Sequence, residues 1–126
     1  MAAEGGLGDM GTVGANADDA LRFQIEQRLR ERAAQADEST SLFYLGRAYR
    51  PAWDDPARVE AMLAAIESVR VHGLDPADFN PERLRRAAAG ATGVEALAER
   101  DLLLTDTLVE LLFQLRYGKV DPRSLY

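Results

Sequence analysis

The stretch Val94–Tyr117, VEALAERDLLLTDTLVELLFQLRY, decides the fold. It reads as about six and a half turns of helix, on the order of 36 Å long. Leu97, Leu104, Leu108, Leu111, Leu112 and Leu115 recur at helical spacing and define one apolar face. Leu102, Leu103, Val109 and Phe113 carry apolar side chains onto the flanks and the back. A helix apolar over most of its circumference must be covered on several sides. The rest of the chain therefore reads as the cover of a central core helix.

Working backwards, Gly90 and Gly93 punctuate the entry to this helix, and Gly118 closes it. A short helix precedes it from Pro81 to about Ala89, behind Asn80 as its cap. Asp75-Pro76 starts a one-turn helix carrying Phe79. Asp55-Pro56 starts a third, longer helix in which Val59, Met62, Leu63, Ile66 and Val69 keep amphipathic spacing. Gly73 ends that helix in the left-handed conformation, and Leu74 folds back on Val69 in a Schellman-type closure. Asp121-Pro122 repeats the same device beyond Gly118. One rule explains all four pairs: the Asx side chain accepts an orphan N–H, and proline has no N–H to lose. They are helix punctuation rather than a catalytic motif.

Nearer the start, residues 1–17 form a Gly-rich acidic leader expected to be disordered, and residues 18–126 one helical domain. Asp18 and Asp19 open a first helix running to about Ala36, with Leu21, Ile25 and Leu29 as a narrow apolar stripe and Phe23 off it. Asp37 to Thr40 breaks the pattern. Ser39, Thr40 or Ser41 is expected to cap a short second helix from Leu42 to about Tyr49. Pro51 disfavours helix at Arg50, so the chain should leave this helix extended. The fold expected is all-α: a single irregular or orthogonal bundle of about five or six helices around residues 94–117.

Length, charge and composition narrow the function. With 126 residues the chain suits one domain with one core. A net charge of −6 argues against nucleic acid as a partner, since Arg28, Arg30, Arg32 and Arg83, Arg85, Arg86 are interleaved with acids or sit on a short helix. No cysteine is present, which removes thiol catalysis and thiolate metal sites from this chain. The apolar run Leu102–Leu115 is too short to span a membrane and is broken by Asp106 and Glu110. No signal peptide is recognisable at the start.

Several groups invite a chemical reading. His72 with Asp75, Asp78 and Glu82 is better explained by a helix end and its caps than by a metal, and no metal or cofactor is expected. Asp54, Asp55 and Glu60 could be paired carboxylates, but the N-cap role of Asp55 explains more. Thr105 is expected to bond back to a carbonyl one turn earlier. Phe43, Tyr44, Tyr49 and Trp53 are the candidate ligand or partner surface. Their alternative is to pack under the Pro51 turn against the long helix, with polar tips at the edge. Asp55, Gly73, Asp75, Asn80 and Gly118 are assigned as structural caps. No catalytic residue is expected.

Three segments taken together resemble a known family: Phe43-Tyr44 through Tyr49-Arg50-Pro51-Ala52-Trp53, then His72-Gly73-Leu74-Asp75-Pro76-Ala77-Asp78-Phe79, then Leu104-Thr105-Asp106 through Leu115-Arg116-Tyr117-Gly118-Lys119-Val120-Asp121-Pro122. Their order and spacing resemble the N-terminal helical scaffold domain of the large murein L,D-transpeptidases of Gram-negative bacteria, over about Leu42 to Tyr126. Phe79 stands where the family pattern has tyrosine. The resemblance implies a periplasmic parent enzyme that forms 3→3 peptidoglycan cross-links through a cysteine in a Ser-x-Gly-Cys type motif. No position here matches that motif, so the chain resembles the non-catalytic part. The implied partners are the catalytic domain of the same polypeptide and the peptidoglycan itself. A free-standing peptidoglycan-binding or protein-interaction module, working through Phe43, Tyr44 and Trp53, is the rival expectation.

Overall fold

The computed structural model describes residues 18–32 and 38–118. Among these residues every regular element is helical: α1 (18–32), α2 (Glu38–Leu45), α3 (Pro56–Glu67), α4 (Pro81–Gly90) and the long α5 (Gly93–Tyr117). Two 3₁₀ turns, Ser68–His72 and Pro76–Phe79, connect α3 to α4. The expected all-α architecture with a long C-terminal helix is what forms. The 1–17 leader, the end of the first helix near Ala36 and the Asp121-Pro122 turn lie outside the described residues.

The residues gather into two compact units, one reaching to Pro51 and including Thr92–Glu99, the other made of Ala52–Ala91 and the chain from Arg100 onward. In the first unit the α1 stripe is buried as its spacing requires: Leu21, Ile25 and Leu29 face inward, and Phe23 is exposed. Arg28 on α1 reaches Glu99 on the first turns of α5, NH1 to Oε2 at 3.2 Å. The second helix differs from the sequence reading. It starts at Glu38 rather than Leu42, so Ser39, Thr40 and Ser41 lie inside it, and it stops at Leu45. Its end comes early because Ala48 and Tyr49 turn left-handed, at φ 57° and 61°, and Tyr49 N–H closes onto the Tyr44 carbonyl at 2.8 Å.

The second unit follows its punctuation closely. Asp55 caps α3 by accepting from Ala57 N–H at 2.9 Å, and Asp75 caps the Pro76–Phe79 turn by accepting from Ala77 N–H at 3.0 Å. All five apolar positions from Val59 to Val69 are buried. The helix tightens to 3₁₀ after Glu67, then ends in the expected Schellman closure: Leu74 N–H meets Val69 O at 3.2 Å and Gly73 N–H meets Arg70 O at 3.0 Å. Gly73 has φ 80°, and a Cβ there would meet nothing within 4 Å. Gly73→Ala should therefore cost about 1–2 kcal/mol through left-handed strain alone, read as a shift in urea midpoint at constant slope.

Asn80 departs from the other caps. It sits left-handed at φ 53° and makes no side-chain cap bond to α4. Capping needs extended backbone at that position, so the side chain cannot reach the first-turn N–H groups. Asn80 instead ends the 3₁₀ turn, its N–H on Ala77 O at 3.1 Å. Gly118 takes φ 78° and closes α5 with its N–H on Gln114 O at 2.7 Å.

Burial along α5 also differs from the leucine pattern. Leu104 and Leu111 are buried, together with Ala98, Asp101, Leu102 and Thr105, but Leu112 and Leu115 are exposed. Length bears on this. A 25-residue helix is on the order of 37 Å long and α3 and α4 are about half that or less. The last turns of α5 carry its exposed leucines, Leu112 and Leu115.

Candidate functional site

The four aromatics divide between the two units. Within the first, Tyr44 is fully buried while Phe43 and Tyr49 are half-buried. The Phe43 and Tyr44 rings meet edge to face at 5.2 Å, and the Arg47 guanidinium lies 5.6 Å from the Phe43 ring centre. Arg47 also donates to Arg50 O and Pro51 O, both at 2.9 Å, and Arg50 returns a bond to Arg47 O at 3.0 Å. Two successive non-glycine residues in the left-handed region are strained by about 1–2 kcal/mol each. This arginine clamp holds that turn and delivers an extended chain into Pro51.

The second unit takes up the chain at Ala52 and Trp53. Both backbone N–H groups donate to one carboxylate: Ala52 N to Asp101 Oδ2 at 2.8 Å and Trp53 N to Asp101 Oδ1 at 3.1 Å. The Trp53 indole N–H donates to Thr105 Oγ1 at 2.8 Å. Asp101 and Thr105 are four apart on α5, so they project from the same face one turn from each other. Both are fully buried. Arg58 adds a bond from its NH1 to Ala52 O at 3.3 Å. Ala52 and Trp53 are thus clasped to the long helix by three buried hydrogen bonds.

This clasp amends one expectation. The indole N–H of Trp53 points into the protein rather than to an edge, and the Thr105 oxygen takes it. Two residues further on, Thr107 bonds back to a carbonyl one turn earlier, Leu103 O at 2.8 Å. Asp101 was not singled out by sequence reading. Its one local signal is its place directly before the apolar run Leu102–Leu104, one turn from a threonine on the same face.

Asp54 and Glu60, weighed as paired carboxylates, are exposed and line a cavity of about 330 Å³ whose apolar wall is Trp53, Val59 and Leu63. Arg85 and Arg100 line the same cavity. His72, Asp75, Asp78 and Glu82 are all exposed, and Glu82 pairs with Arg85 at 3.1 Å. Among the described residues no group of three or more His, Asp or Glu side chains gathers to hold a metal, and no helix is long and apolar enough to cross a membrane. What the arrangement in the second unit does chemically is positioning: it locks a buried tryptophan onto the helix that carries Asp101 and Thr105.

A family model described as a scaffold domain matches residues 38–126. No curated protein and no solved structure gives a significant match.

Proposed function

Because this chain belongs to the scaffold-domain family, we propose that it is the non-catalytic scaffold domain of a cysteine-dependent peptidoglycan L,D-transpeptidase. Such a parent forms 3→3 cross-links in cell-wall biogenesis and works in the periplasm. The scaffold domain's partner is the catalytic domain of the same polypeptide, with peptidoglycan as a further contact. The observation that carries this reading is an overlap. The family match over 38–126 spans the segments, about Leu42 to Tyr126, whose motifs resemble the transpeptidase scaffold.

The geometry supports a supporting role over an aromatic binding surface. Tyr44 and Trp53 are spent on the interior, and the Pro-x-Trp motif is explained by the Asp101 clasp. The chain holds no cysteine, so it supplies no thiolate for acyl transfer. A protein-interaction module is favoured by a different observation, the exposed Leu112, Leu115 and Tyr117 at the end of α5.

The test has two arms. The 126-residue chain alone should leave muropeptides unchanged by mass spectrometry, and any turnover would remove the non-catalytic reading. The reading frame past Tyr126 should encode a histidine followed by a Ser-x-Gly-Cys type motif. A stop within a few codons would replace the transpeptidase assignment with the interaction module.

A further inference from the structure

We propose that the cavity beside Trp53 binds a small monocarboxylate with an apolar body, held by Arg100. The site is independent of the scaffold role and lies wholly within the second unit. At about 330 Å³ it falls at the lower end of small-ligand sites. Trp53, Val59 and Leu63 give it an apolar wall on which a ring or branched chain packs.

Arg100 is the feature that asks for an anion. Its side chain is only 11% exposed. The carboxylate nearest it is Asp101, whose Oδ1 stands 3.6 Å from Arg100 NH2, beyond hydrogen-bond length. That carboxylate already accepts from Ala52 and Trp53. The Arg100 Nε–H is buried without an acceptor. A nearly buried guanidinium with no hydrogen bond among the described residues is costly, and a carboxylate in the cavity that Arg100 lines offers it an acceptor. The other arginine in the cavity, Arg85, is half-exposed and already paired with Glu82.

Asp54 and Glu60 on the same cavity narrow the choice further. Two fixed negative charges repel a dicarboxylate or a phosphate and leave room for one negative charge, with a cationic group tolerated beside it. The bland account is that Arg100 serves only to offset the buried charge of Asp101. That account predicts no ligand.

The chain's single tryptophan lines the cavity, so its fluorescence reports occupancy. The probes are 4-iodobenzoate, whose iodine quenches an adjacent indole, and the uncharged 4-iodobenzamide of the same shape. The benzoate should quench saturably, and the amide should bind about tenfold more weakly or worse, the worth of one charge-assisted hydrogen-bonded contact. Ala88→Met fills the cavity while leaving Arg100 and Asp101 unaltered in sequence and should abolish saturable quenching. Arg100→Lys keeps the charge, loses the fork and should weaken the benzoate by a similar tenfold factor. Equal quenching by acid and amide, no saturation with either, or benzoate binding unchanged in both variants would each overturn the proposal.

Discussion

Asp101→Ala is expected to destabilise the protein by about 3–5 kcal/mol, as removing one member of a buried, hydrogen-bonded charge cluster does. Two separate losses add up to this. The N–H groups of Ala52 and Trp53 lose their acceptor inside the protein, and each orphaned buried donor costs about 1–3 kcal/mol. Arg100, already short of partners, loses its nearest anion as well. Asp101→Asn should fall between, because its single oxygen satisfies one donor while its NH₂ meets the other. Urea unfolding followed by circular dichroism gives both values. A loss below about 1 kcal/mol for the alanine variant would mean the clasp is an incidental contact.

Trp53→Ala should cost a similar amount, about 3–5 kcal/mol, through the lost burial and the cavity left behind. Finer variants separate packing from hydrogen bonding. Thr105→Val keeps the shape but strands a buried indole N–H and should cost about 1–3 kcal/mol. Once Trp53 is phenylalanine there is no N–H to strand, so the same Thr105→Val change should cost far less, and the double-mutant cycle measures the bond itself. Wild-type stability in Trp53→Ala with lost binding to peptidoglycan fragments would make the ring a ligand surface instead.

Much of the second unit could be read from the chain because its signals are local. Asp55-Pro56, Asp75-Pro76 and Gly73-Leu74 each encode a cap within a few residues, and the Val59–Val69 spacing alone names its buried face. Asn80 holds a cap position without a side-chain cap bond, since the same Asx-Pro pair fits both an extended cap and a left-handed turn, and backbone context decides between them. The start of α2 was placed late because Ser39, Thr40 and Ser41 are good caps as well as tolerable helix residues. The partners of Asp101 were not legible, beyond its position one turn from Thr105. Its partners are backbone N–H groups nearly fifty positions earlier, and a backbone group has no letter in a sequence.

The clasp also sets an order of events as the chain folds. Ala52 and Asp101 are 49 positions apart, and α3, both 3₁₀ turns and α4 all lie inside the loop that their bond closes. The caps and turns within that loop form from near neighbours on microsecond timescales. Each one that forms shortens the stretch of free chain and lowers the entropy needed to bring the two ends together. The long-range step that seats Asp101 is thereby made late and less costly, and its rate rests on caps and turns formed earlier between near neighbours.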